Sequence, residues 1–322
     1  MLNPDSMGAW GVMIALAGGA VRGSIPYMFV SLGECLTEKS GRINLGMEGI
    51  LLMGAMTAFG VSDRTGSPWL GALAAAAVSG LLGLLHAGIT ELPRVNDVAA
   101  GIAMIIFGSG LAFFFGKQFV APMAPQLPVF DLGGSFANTA VHSALRISPL
   151  FLIGIAAGFL LHYLFERTRW GLHVRATGDA PEAARSMGIS IRRHRIVATT
   201  LGAALAGIGG SHLTLYFPGI WSEGISGGQG LMAVALVIFA RWSPRRCLAA
   251  SLLFGGAQAL GPSLQSAGIT GFYHLFNASP YLLTLAVMIA SCSEATSTRT
   301  SCICSSGSCP PASSADTAAL TW

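Results

Sequence analysis

The sequence predicts an all-α polytopic membrane protein of about nine transmembrane helices (eight to ten), arranged as an inverted repeat. Three observations carry this. Of 322 residues, 52% are apolar and only 10% charged, whereas ordinary soluble domains carry about 25% charged residues. Apolar runs of roughly twenty residues, the length that crosses a bilayer as a helix, recur along the chain. Two shorter Gly-flanked runs, GMEGILLMGAM from Gly46 and GGQGLMAVAL from Gly227, resemble each other and are expected to run in opposite directions.

Residues 166–195, ERTRWGLHVRATGDAPEAARSMGISIRRHR, hold seven of the eighteen basic residues against three acids. Basic loops between spans stay on the cytoplasmic face, so this loop orients the rest. Residues 9–36 form the first span, kinked or tilted because Arg22 and Pro26 interrupt it. Arg22 is costly at mid-membrane unless it faces protein or water. Glu38, Lys39 and Arg42 follow on the inner side, then a short run at 47–61 leads to an outer turn with Asp63, Arg64 and Pro68. Residues 69–89 go inward to Glu91 and Arg94, 98–115 outward, and 148–165 inward after an outer loop at 117–147. Beyond the basic loop, 196–217 go outward, a short run at 229–240 comes in, 247–264 go out, and 281–290 begin a last inward span. On this layout thirteen basic residues face inward: Lys39, Arg42, Arg94, the seven of the loop, Arg241, Arg245 and Arg246. Three face outward, Arg64, Lys117 and Arg146, which places the N-terminus outside.

Within the basic loop, Asp179 and Glu182 have the D-x-x-E spacing of a capping box. Pro181 suits the first turn, where its missing donor does no harm, and Gly188 suits the C′ position. These residues predict a helix of about two turns with Ala180, Ala184 and Met187 on one face. So short a helix is unstable alone in water, and it either rests on its own membrane domain or docks a cytoplasmic partner. The paired short runs, the first four spans matching the last four around 148–165, point to a transport pathway, although Gly, Leu, Met and Ala are common in any such protein. Candidate pathway residues are Asn44, Glu48 and Met53 at the first break and Gln229 at the second. Asn44 also suits a helix cap and Glu48 a favourable place in the first turn. Asn96 and Asp97 read as a helix start. The small residues at 74–77, Gly80, Gly83, Gly202, Ala203, Ala206, Gly207 and Gly210 suit close helix packing in lipid.

No G-x-x-x-x-G-K-[ST] loop, zinc-ligand helix, nucleophile elbow or paired-carboxylate motif occurs. The chain is therefore read as a transport subunit and not an enzyme, with no cofactor, no metal and no nucleic-acid partner. No cleavable signal segment is evident at the N-terminus. Cys35 and Cys247 read as small packing residues. The Ser/Thr/Cys-rich stretch 291–322 cuts the last span to about ten apolar residues, too few to cross. It reads as an aberrant, disordered tail left by a lost reading frame near Ser291. A cysteine metal site is the alternative, although C-x-C-x4-C without His is a weak pattern.

The segments SLGECLTEKSGRINLGMEGILLMGA, GLHVRATGDAPEAARSMGI and ALAGIGG resemble the inner-membrane permeases of bacterial ABC importers of the branched-chain amino acid/simple sugar superfamily. The N-L-G-x-E-G signature at residues 44–49 is most similar to the nucleoside and purine-type subgroup. The resemblance covers about residues 20–290, leaving residues 1–290 as one permease domain with a coupling loop at 166–195. It implies a type II importer in the cell inner membrane: two permease chains, identical or different, two cytoplasmic ATP-binding subunits, and an extracytoplasmic solute-binding lipoprotein. Asp179, Pro181, Glu182, Ala184, Arg185, Met187 and Gly188 would then belong to the coupling helix on which the ATPase docks. Simple sugars or branched-chain amino acids are the alternative solutes. The rival from another class is a secondary transporter driven by an ion gradient, with Glu34 and Glu48 as its acidic candidates; a non-transporting scaffold or receptor is the third.

Overall fold

A computed structural model describes residues 9–119, 124–131, 146–216, 219–266, 278–286 and 289, without the side chains of 9–12, 15, 131 and 266. The architecture is all-α: α1 (Ala9–Lys39), α2 (Met47–Thr65), α3 (Pro68–Thr90), α4 (Asp97–Gly116), α5 (Pro149–Arg167), α6 (Arg169–Asp179), α7 (Pro181–Ser186), α8 (Ile191–Leu215), α9 (Gln229–Phe239) and α10 (Pro244–Ser266). The only β-pairing among the described residues is an antiparallel bridge of two residues each, Phe130 opposite Ile147 and Asp131 opposite Arg146.

Local sequence sets most helix starts. Asn96 Oδ1 accepts the Val98 and Ala99 N–H groups at 2.8 and 3.4 Å and begins α4 as expected. Ser148 Oγ accepts from Leu150 and begins α5 with Pro149 in its first turn. α1 passes through Pro26 as one helix of 31 residues.

Five helices among the described residues (α3, α4, α5, α8 and α10) are long and apolar enough to cross a membrane, against about nine expected. α1 and α2 are long enough but carry Arg22, Glu34 and Glu38, and Glu48, Asp63 and Arg64, respectively. The second expected run, 47–61, continues through the polar residues to Thr65, so α2 is longer than its apolar stretch. α9 is short, as expected, at eleven residues. The last expected span is helical at 279–286, its remainder lies mostly outside the described residues, and so does the tail 291–322. The helical boundary after the basic loop also moves: α8 starts at Ile191, five residues earlier than the apolar run, and takes Arg192, Arg193 and Arg195 into its first turns.

α1, α2 and α8 form the interior. Every residue from Met47 to Gly60 is buried, while α3, α4 and α5 turn Leu73, Leu81, Ile106, Phe114, Phe159 and Leu160 outward as an exposed apolar surface. Some of the helix contacts come in exchange-related pairs, although α2 packs on α3 far more extensively than α9 on α10. α1 packs on α10 as α8 packs on α3, and α2 packs on α8 as α9 packs on α1. Glycine makes these crossings close. A Cβ at Gly33 would fall 2.2 Å from the Gly202 carbonyl oxygen, and one at Gly202 would fall 2.4 Å from that of Gly33. Hydroxyls tie the crossings: Ser79 Oγ donates to the Ile50 carbonyl at 3.1 Å and Thr214 Oγ1 to that of Ala55 at 2.9 Å. Cys35 and Cys247 are both fully buried free thiols, in keeping with a packing role.

Two ends of the bundle are distinct. At one, Arg42 bridges Glu91 and Asp97 at 3.1 and 2.9 Å, and Trp242 Nε1 donates to Glu38. At the other, Ser62 donates to the Pro125 carbonyl at 3.1 Å, and the Leu127 N–H to the Leu215 carbonyl at 2.9 Å.

Because two backbones touch at Gly33 and Gly202, a side chain at either forces the helices apart. Gly33→Val or Gly202→Val should cost about 1–3 kcal/mol or more, as overpacking does. Gly110→Ala, where nothing lies within 4 Å of the added Cβ, should be neutral or stabilising by up to about 1 kcal/mol. Thermal aggregation midpoints of the detergent-purified variants check the contrast.

Candidate functional site

The two helices that carry the expected breaks meet start to start inside the bundle. α2 runs from the meeting point to the end where Arg64 Nη2 reaches Gln118 at 3.5 Å, and α9 runs the other way, to the end where Trp242 meets Glu38. Between their N-termini lies one carboxylate. Glu48, in the first turn of α2, accepts the Ser226 hydroxyl and the Gly228 N–H (3.2 Å) on Oε1. Its Oε2 accepts the Gly230 and Leu231 N–H groups at 2.6 and 3.3 Å. Gly228, the N-cap of α9, offers no side chain of its own, so the acid of α2 supplies the acceptor that a capping residue would. Gly230 permits the approach, since a Cβ there would sit 2.6 Å from the Glu48 Cα.

Asn44 holds the other side of the break, though not as the expected cap. The N-cap of α2 is Gly46, and Asn44 Oδ1 accepts the Gly46 N–H at 3.0 Å, an Asx turn that folds the chain into the helix. The Asn44 N–H donates to Glu34 Oε1 at 2.7 Å, and both residues are fully buried. Glu34 Oε2 and Asn44 Nδ2 have no protein partner. Met53 belongs to the packed core around α2. Gln229, first residue of α9, is 6% exposed with its Oε1 buried and unpartnered, on the wall of a cavity. Thus Glu48 and Gln229 come together, Asn44 flanks them, and Met53 is part of the core of α2. Sequence reading missed Ser226, Gly230 and Glu34 as partners because a first-turn acid carries no mark of the distant helix it caps.

The basic segment folds as two short helices, not one helix in a loop. Thr168 Oγ1 accepts the Gly171 N–H at 3.1 Å and starts α6. Asp179 is the last residue of α6 and not the cap of α7: the N-cap is Ala180, with no side-chain bond, so the expected Asp179–Glu182 capping box is absent. α6 simply continues up to Pro181, which starts the next helix. α7 ends as expected. Gly188 has φ +76, its N–H donates to the Arg185 carbonyl at 3.0 Å, and the Ile189 N–H donates to that of Ala184 at 3.0 Å. This is a Schellman closure, which favours glycine. Only part of the expected apolar face turns inward: Ala184 is buried, Ala180 is exposed, and Met187 is 80% exposed. Glu182 and Arg185 are also exposed.

Arg195, in α8, ties this segment to the junction. Its Nε donates to the Ser40 carbonyl at 3.1 Å, in the turn leading to Asn44, and its Nη2 to the Thr177 carbonyl at 3.3 Å, one turn before α7. Its Nη1 lies 3.9 Å from Glu91. The backbones touch here too, since a Cβ at Gly178 would sit 2.4 Å from the Lys39 carbonyl oxygen.

Comparison with known proteins agrees with this construction. The family model described as branched-chain amino acid transport system / permease component matches residues 16–292. TsgC13 of Haloferax volcanii, named provisionally as a glucose ABC transporter permease protein, is 32% identical over 85% of this chain and 90% of its own. The guanosine ABC transporter permease protein NupQ of Bacillus subtilis is 28% identical over 81% of this chain and 86% of its own. The nucleoside ABC transporter permease protein NupC of Lactococcus lactis subsp. cremoris is 28% identical over 82% and 88%. No solved structure matches the chain. Start-to-start half-helices in an apolar bundle and a family match over most of the sequence lead to one statement: the chain belongs to the branched-chain amino acid transport system / permease component family, as a multi-pass membrane permease of an ABC transport system and not an enzyme.

Proposed function

We propose that this permease forms the solute path of an ABC importer for nucleosides or related sugar-containing solutes, and that α7 is the coupling helix for a separate ATP-binding subunit. The observation that carries the reading is the α6–α7 projection: α7 offers Glu182, Arg185 and Met187 to solvent, while Arg195 fastens its base to the turn before the helix break. A short, closed helix that exposes an acid and a base, with an exposed methionine at its C-cap, is a surface that a protein groove can receive. Guanosine and nucleoside permeases among the relatives support the solute class.

The complete importer would comprise two permease chains, two ATP-binding subunits and an extracytoplasmic binding lipoprotein, as the resemblance implies. The exchange-related packing of α1, α2 and α3 with α8, α9 and α10 supports an inverted repeat whose symmetry relates the two half-helices. ATP-driven movement of the docked subunit would then shift α7, and Arg195 would pass that movement to the turn at Ser40 and so to the start of α2. This is a rigid-element linkage of the kind that converts small shifts into opening and closing.

Charge reversal at the tip tests docking. Glu182→Arg with Arg185→Glu should leave the amount of permease in the membrane unchanged and reduce the co-purifying ATP-binding subunit, weighed by mass, about tenfold or more. Full retention would contradict the assignment. Arg195→Met tests transmission separately. The ATP-binding subunit should stay bound and hydrolyse ATP, while ATP-dependent uptake falls about tenfold, the scale of a lost coupling contact. Uptake abolished by a protonophore but indifferent to ATP depletion would contradict the ATP-driven reading.

A further inference from the structure

A cavity of about 480 Å³ opens between α1, α8 and α10, next to the start of α9. It lies beside the Glu48 junction, because Ile225 and Gln229 of its wall bracket Ser226 and Gly228. Its size suits a small solute. Three polar atoms of its wall are buried without any partner: Gln229 Oε1, Gln258 Oε1 and His212 Nδ1. His212 is 5% exposed and Gln229 is 6% exposed. Burying a polar atom without a hydrogen bond is costly, and three around one cavity are a preformed set of contacts for a polar solute.

The chemistry of the wall selects the occupant. Among the described residues no carboxylate lines the cavity and the Arg22 guanidinium does, so it does not suit a cation. Two carboxamides present the adjacent donor and acceptor that match the edge of a nucleobase. The His212 and Tyr216 rings stack at 4.8 Å and 17°, and the Tyr216 hydroxyl is fixed on the Arg146 carbonyl at 2.8 Å, making a rigid aromatic shelf that a planar base can extend. Pro26, Leu213 and Pro262 supply apolar wall.

We propose that this cavity is a solute site within the permease chain, and that it takes a neutral nucleoside, with Gln229 and Gln258 on the base edge and the His212–Tyr216 pair against the ring. The proposal rests on the importer reading above and adds the residues that choose the solute. Gln229 would place the solute against the first turn of α9, so that movement of the Glu48 junction is felt in the cavity.

The test is uptake of radiolabelled guanosine by native-host cells whose own copy is replaced by wild-type chain, Gln258→Leu, Gln258→Asn or His212→Phe. Permease amount and co-purifying ATP-binding subunit are measured in the same cells. Gln258→Leu and His212→Phe should each raise the half-saturating guanosine concentration about tenfold, the scale of a lost polar contact in a binding pocket, with Gln258→Asn less impaired and subunit binding unchanged. Unchanged guanosine uptake in both Gln258→Leu and His212→Phe would overturn the site and leave the importer reading standing. Wild-type uptake of glucose that guanosine does not compete with would overturn the nucleoside assignment. No chain-dependent, ATP-driven uptake together with no bound ATP-binding subunit would remove both readings.

Discussion

Two helix N-termini facing one another inside a membrane protein create a concentration of unpaired N–H groups and positive dipole ends that lipid cannot satisfy. The Glu48 carboxylate resolves this. It belongs to the first turn of α2, where a negative charge is favoured, and spends its oxygens on Ser226, Gly228, Gly230 and Leu231 at the start of α9. Hydrogen bonds to a charged group are worth about 1.5–3 kcal/mol each, so this one side chain can hold α9 in place without a continuous helix. The break allows α2 and α9 to run to opposite ends of the bundle and gathers polar groups where they meet.

Much of the remaining structure keeps that meeting point in place. Close glycine crossings such as Gly33 with Gly202 and Gly54 with Gly207, where a Cβ would fall 2.8 Å from the facing Cα, make α1, α2 and α8 a tight unit. Arg195 and Arg42 then bind the charged end of that unit to Thr177, Ser40, Glu91 and Asp97. The α6–α7 segment is therefore joined through Arg195 to the chain just before Asn44 by direct hydrogen bonds.

How much of this the sequence revealed depended on the range of each interaction. Local chemistry was legible: Asn96 as the start of α4, Gly188 as the closing glycine of α7, Pro181 as a first-turn residue, and the small residues of α8 as contact points. The two short runs were legible as a pair because both have the same Gly-rich approach and apolar start. What failed had a competing local partner or a distant one. Asp179 has capping-box spacing, but RWGLHVRATGD extends as a helix from its Thr168 cap and absorbs the acid at its end. Met187 shares helical spacing with Ala184, yet only the smaller residue packs inward. Asn44 bonds two residues ahead, so the cap falls to Gly46. Gln258 and His212 were invisible as site residues because α1, α8, α9 and α10 bring them to Gln229 only in the folded chain.

The measurement that bears most directly on the Glu48 junction is hydrogen–deuterium exchange of the segment around residues 226–232 in purified full-length protein, wild type against Glu48→Gln. Loss of the charged acceptor should leave the Gly228, Gly230 and Leu231 N–H groups weakly held, so that exchange there rises about tenfold or more while peptides of α3 and α5 keep their protection. Equal protection of that segment in the two proteins would contradict the claim that this carboxylate holds the helix break together.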